Sequence, residues 1–163
     1  MLTQAELKSL LHYSSETGIF TWISPLSNRA KSGDECKTKM AAGYIVIGIR
    51  GARLYAHRLA WLYMTGSWPE NMIDHINCTR DDNRWLNLRE ASKAQNMRNA
   101  GIRKQNTSGH TGVGFHAQIN KWRAFINDGN KYIHVGVFDT IDQAIEARRI
   151  AAEKHYREFF RPA

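Results

Sequence analysis

Asp74 and His75 stand side by side, Asn87 follows twelve residues after the histidine, and Asn96 follows nine after that. These residue types in this order suit the hydrolysis of a phosphodiester. That reaction needs a water made nucleophilic, stabilisation of the charge growing on phosphorus, and help for the departing 3′ oxygen. An imidazole with an ordinary pKa of about 6.5 accepts a proton from water at physiological pH, which makes His75 the candidate general base. Neighbouring side chains on a strand point to opposite faces, so Asp74 is expected to hold a cation on one side while His75 addresses water on the other. Asn96, on a following helix, brings a carbonyl oxygen to the same ion. One carboxylate and one amide form a hard, incomplete oxygen set, suited to Mg²⁺ completed by water and phosphate oxygens.

These four residues sit in the polar run "IDHINCTRDDNRWLNLREASKAQN", residues 73 to 96, between two apolar parts of the chain. Asn77, Asp81, Asp82 and Asn83 are expected to serve the backbone of a loop within it. Upstream, residues 2 to 13 predict a short amphipathic helix with Thr3 as N-cap, and "GIFTW" and "GYIVIGI" predict strands. "RLYAHRLAWLYMTGSWPE" turns from strand-like to helix-like, with Leu59, Leu62 and Tyr63 at helical spacing and Gly66 and Pro69 ending the run. His57 and Arg58 are placed just before this helix. After Asn87, "LRE" reads as a short strand, and Ser92 to Gln95 has the form of a capping box that opens the helix carrying Asn96.

The chain has 163 residues and a net charge of +8, with 13 basic against 9 acidic residues up to position 100 and 10 against 6 beyond it, or +4 on each side. An excess of cations in both halves points to a polyanionic partner. No stretch approaches the ~18 uninterrupted apolar residues of a membrane span, and the N-terminus does not read as a secretory signal. Cys36 and Cys78 are too few and too far apart for a zinc ribbon and suit a reducing, cytoplasmic setting.

From "AHRLAW" through "DHINCTRDDNRWLNLR" to "SKAQNMRN" the chain resembles the HNH endonucleases, nucleases with a ββα-metal core, and most closely their phage and homing branch. The resemblance covers roughly residues 1 to 100. It implies His75 as general base, Asp74 and Asn96 as metal ligands, and Asn87 as the central Asn that braces the loop and fixes the imidazole. Many family members end the ligand set with a His; the Asn96 found here favours Mg²⁺ or Mn²⁺ over tightly bound zinc. His57 and Arg58 match the family's His-Arg pair and are candidate phosphate contacts.

Residues 99 to 110 are polar and rich in breakers, and the expected organisation is a domain over 1–100, a linker over 101–110 and a second domain over 111–163. Three strand candidates, "GVGFH", "KWRAFIN" and "KYIHVGVF", suggest an antiparallel meander, and Thr140 to Gln143 caps an Ala-rich helix expected to run to about Phe159. The fold class is thus α+β: a nuclease core, then a small three-stranded sheet packed on one helix. Residues 108 to about 159 resemble the plant ethylene-response-factor (Apetala-type) DNA-binding domain, also found on phage HNH nucleases, which implies a sheet laid in the major groove. Alternation sends Trp122, Ala124, Ile126, Ile133, Val135 and Val137 towards the helix. It sends Arg123, Phe125, Asn127, Tyr132 and His134 outwards, with His116 and Lys121 nearby, as candidate DNA contacts. The plant pattern is rich in Arg on this face, so its GC-box preference does not carry over.

The expected protein is a metal-dependent phage or homing endonuclease acting on DNA, needing Mg²⁺ or Mn²⁺ and no small-molecule cofactor or membrane. One site per chain predicts a nick per binding event unless two chains assemble, and no segment indicates self-association. The alternative reading is a non-catalytic DNA-binding regulator.

Overall fold

The computed structural model describes residues 1–98, 106–127 and 132–156. The expected "DGN" turn, the first half of the linker and the helix beyond Tyr156 lie outside the described residues. The chain divides into two compact units, Met1–Ala91 and Ser92–Ala163, a division that falls ahead of the expected linker. No described helix is long and apolar enough to cross a membrane.

In the first unit, α1 (Gln4–Leu10) opens on a full capping box: Thr3 Oγ1 accepts the Glu6 N–H and Glu6 Oε2 accepts the Thr3 N–H. The expected helix to residue 13 stops early, because Leu11–Tyr13 forms strand β1 and pairs antiparallel with β2 (Phe20–Trp22). Strands β3 (Val46–Ile49) and β4 (Ala52–Tyr55) form a second hairpin. Its two-residue turn, Arg50-Gly51, has positive φ at both positions, matching the right-handed twist of the strands. Helix α2 (Ala56–Thr65) follows directly and ends at Gly66, whose φ of 85° is the left-handed conformation that only glycine adopts at little cost. Leu7, Leu11, Phe20, Ile47, Leu59 and Leu62 are the largest fully buried side chains of this unit, and Tyr13, Phe20 and Tyr63 form an aromatic cluster beside them. Each such side chain contributes about 1.5–3 kcal/mol through burial.

The strand pair β5 (Met72–His75) and β6 (Leu88–Ala91) is antiparallel, with Asp74 opposite Arg89 and His75 opposite Leu88. Between them runs the loop of residues 76–84 and a single 3₁₀ turn at Trp85–Asn87.

The second unit opens with α3 (Lys93–Arg98), where Ser92 and Gln95 form the expected capping box. Strands β7 (Val113–His116), β8 (Lys121–Asn127) and β9 (Tyr132–Phe138) make the expected antiparallel meander in the order β7-β8-β9. Helix α4 (Ile141–Tyr156) is capped by Thr140 and Gln143 and packs on all three strands. Its buried Ala144 and Ala152 let it sit close over Ala124 and Ile126. Tyr156, near the end of α4, turns its hydroxyl to the last residue of β8, accepting the Asn127 N–H and donating to the Asn127 carbonyl, both at 2.9 Å.

One expected face assignment is corrected. A bulge at Ala124/Phe125 lets β9 spend an extra residue, so Val135 and Gly136 both face inwards and the alternation inverts after them. Val137 therefore stands opposite Arg123 on the outer face, and Phe138 takes the inner place beside Trp122.

Candidate active site

Strand β5 buries both Asp74 and His75. Arg89, their neighbour on β6, lays both Nε and an outer guanidinium nitrogen on Asp74 Oδ2 at 2.9 Å. This pairing follows from register, since directly opposed residues share a face. Opposite charges held at that distance with little solvent exposure fix the carboxylate in one orientation.

His75 Nε2 lies 3.2 Å from Asn83 Oδ1. Asn83 serves the loop backbone as expected, its Nδ2 donating to the Asp81 carbonyl at 3.3 Å, and the structure also buries it and turns its Oδ1 onto the imidazole. The imidazole contact thus belongs to Asn83, and Asn87, expected to brace the loop and to fix the ring, does the first. Its Oδ1 accepts the Asn77 N–H at 3.0 Å and its Nδ2 donates to the Asp82 carbonyl at 2.7 Å, clamping both ends of the turn. Asn77 and Asp82 do lace the loop as expected: Asn77 Oδ1 accepts the Thr79 N–H, its Nδ2 donates to Asp82, and the Arg84 guanidinium closes on Asp82. That fork holds the Asp82 carboxyl at about 2. Asp81 instead meets Lys39 Nζ at 2.6 Å.

His57 and Arg58 are corrected in place. Both belong to the first turn of α2, not to the chain before it. His57 is 7% exposed and lies against Tyr44, Tyr55 and the His75 ring, the two imidazoles meeting edge to face with centroids 5.1 Å apart. Its Nδ1 is buried without a hydrogen-bond partner. Arg58 donates to the carbonyls of Pro69 and Asn71 at 3.3 Å and lies over Trp68.

Burial is the main cause of depressed basicity in this cluster. It pushes His57 down to about 3, assisted by the charges of His75 and Arg58. His75 is also lowered by burial, against the opposing pull of the Asn83 hydrogen bond and of Asp74, Asp82 and Asp81. The consequence is an uncharged His75 at neutral pH, the form that accepts a proton.

Asn96 lies in α3, in the second compact unit, half-buried, with its N–H donated to the Ser92 carbonyl. Among the described residues, no group of three or more His, Cys, Asp or Glu side chains is arranged to hold a metal.

On the C-terminal sheet, the outer face carries rows formed by His116 with Lys121, Arg123 with Val137, Phe125 with His134, and Asn127 with Tyr132. Tyr132 is 71% exposed and meets the Phe125 ring edge to face. Arg123 is exposed over Gly114, and Lys121 is paired with Asp139 at 2.6 Å.

Residues 54–98 match the family model described as HNH endonuclease. The match runs from β4 through the His75 strand pair to α3, and this similarity supports a nuclease as the general kind of activity, with a divalent metal as the family's usual requirement. No curated protein and no solved structure matches the chain.

Sequence reasoning missed Asn83, Tyr44, Tyr55 and Arg89. Arg89 was open to discovery: once β5 and β6 are recognised as antiparallel about the loop, the residue opposite Asp74 follows. Asn83 gave no comparable signal, because loop residues have no period.

Proposed function

We propose that the protein is a metal-dependent DNA endonuclease of the HNH kind, of the phage or homing branch, guided to DNA by an Apetala-type C-terminal sheet. The observation that carries this reading is the buried His75 beside the buried Asp74, on a strand pair inside the segment similar to HNH endonucleases. His75 takes a proton from the attacking water, and attack on phosphorus leaves a 5′ phosphate end. Asn87 keeps the loop closed over β5, so that the base is held on a rigid frame.

The donor set fits a hard cation such as Mg²⁺ or Mn²⁺, with Asp74 and Asn96 as its proposed protein ligands. Arg89 already partly neutralises Asp74, so the ion is expected to bind modestly and to keep most of its water. When bound, it supplies positive charge to the scissile phosphate and leaving oxygen. The outer sheet face, through His116, Lys121, Arg123, Phe125, Asn127, Tyr132 and His134, is the proposed DNA contact, with cations for phosphates and exposed rings and amides for base edges.

The test is cleavage of double-stranded DNA, including the source genome, by purified protein with Mg²⁺ or Mn²⁺. His75→Ala should lose a hundredfold or more in rate, the scale of a missing general base. Unaltered cutting by His75→Ala, or no cutting of any DNA with either metal, would sink the proposal. Sequence-specific binding without cleavage would assign the protein to the regulators.

A further inference from the structure

We propose that Asn83 is a positioning residue for His75 that fixes the imidazole in its Nε2–H tautomer and so makes Nδ1 the proton-accepting nitrogen. The orientation of the Asn83 amide is set by its own second contact, since Nδ2 donates to the Asp81 carbonyl at 3.3 Å. That leaves Oδ1 as the atom facing His75 Nε2 at 3.2 Å. An amide oxygen only accepts, so the hydrogen between them belongs to Nε2. A neutral imidazole has one N–H, and its lone pair for a water proton is then at Nδ1.

Asn83 is suited to this task because it does not move like a loop residue. It is 2% exposed, and its main chain is gripped from the N-terminal hairpin. Tyr13 Oη donates to the Asn83 carbonyl at 2.6 Å, and the Trp85 N–H donates to the Ser15 carbonyl at 2.9 Å. Gly18, at φ 75°, lies so close that any Cβ would overlap the Asn83 carbonyl carbon and the Arg84 nitrogen. Residues 11–22 lie outside the segment similar to HNH endonucleases, and this grip gives them a part in the site.

The consequence for cleavage rests on the nuclease reading; the tautomer does not. Long-range ¹H–¹⁵N correlations on the full, metal-free chain, with the His75 signals assigned by their loss in His75→Gln, should show Nε2–H in the parent and a mixture of tautomers in Asn83→Ala. In cleavage assays Asn83→Ala should lower kcat about 10- to 100-fold with KM little changed, as for the loss of a group that orients a reactive one. Asn83→Asp retains an acceptor oxygen and should recover most of the rate. Tyr13→Phe, which keeps the ring but frees the Asn83 carbonyl, should lose a smaller part. An Nδ1–H tautomer in the parent, or an unchanged tautomer in Asn83→Ala, overturns the proposal. A parent that shows Nε2–H and cuts no DNA overturns the nuclease reading instead.

Discussion

Acid should weaken the first unit through His57 before it weakens much else. The ring is held at about 3 in the folded chain, against an ordinary value of about 6.5 in the unfolded one. A group whose folded pKa is depressed lends its full stability above the unfolded value and loses it as pH falls towards the folded one. The window for His57 is therefore from about 6.5 down to about 3. At pH 5 an unfolded-chain imidazole is almost wholly protonated, about 1.5 units below its pKa, while the folded ring remains neutral. At about 1.36 kcal/mol per unit, moving from pH 7 to pH 5 costs about 2 kcal/mol. His57→Phe keeps an aromatic ring against Tyr44, Tyr55 and His75 but has nothing to titrate, so it should lose about 2 kcal/mol less than the parent over the same interval. His75 is lowered too, but it is present in both proteins and drops out of the difference. The assay is urea unfolding at the two pH values followed by tryptophan fluorescence. A Trp122→Phe background leaves Trp22, Trp61, Trp68 and Trp85, all in the first unit. Equal losses in the parent and in His57→Phe would refute the reasoning.

Gly18→Ala should destabilise the first unit by more than the ~1–2 kcal/mol of a left-handed residue alone, because the new methyl meets the main chain of Asn83 and Arg84. Urea unfolding checks it, and a loss under about 0.5 kcal/mol, the scale of an inert surface change, would show that the contact yields freely. On the C-terminal sheet, Arg123→Ala should weaken DNA binding and lower the slope of log affinity against log salt by about one, the signature of one lost phosphate contact. Fluorescence anisotropy across a potassium chloride series measures it; an unchanged slope means that Arg123 faces no phosphate.

Much of this fold was legible because its signals were local. Both capping boxes after Ala91, at Ser92–Gln95 and Thr140–Gln143, and the glycine stop of α2 depend only on residues within a turn of one another. The strand pair around the polar loop was readable for a similar reason, since "MIDH" and "LREA" are short β-type runs flanking an obvious turn. What escaped had non-local causes. Leu11–Tyr13 continues a helical pattern and becomes a strand only because Phe20–Trp22 returns to pair with it. Val137 left the inner face because β9 carries one residue more than β8 where the pairing shifts between Ala124 and Phe125, and alternation counted along one strand cannot register that. In the site, Asp74 and His75 were identifiable by type and Asn87 braces the loop as expected, whereas the contact with the imidazole belongs to Asn83. Two asparagines four residues apart in one loop have the same chemistry, and the difference lies in which is gripped by Tyr13 and Gly18.

The hydroxyl of Tyr156 satisfies both main-chain groups of Asn127 and so ties the last residue of β8 to the last turn of α4. Strand ends next to a connection usually breathe independently, letting register wander by a residue. Here the end nearest Phe125 and Tyr132 is pinned by a side chain from another element. The register that sets those rings and Arg123 along the strand is thereby braced, a ruler against which a ligand of this face must fit its own repeat.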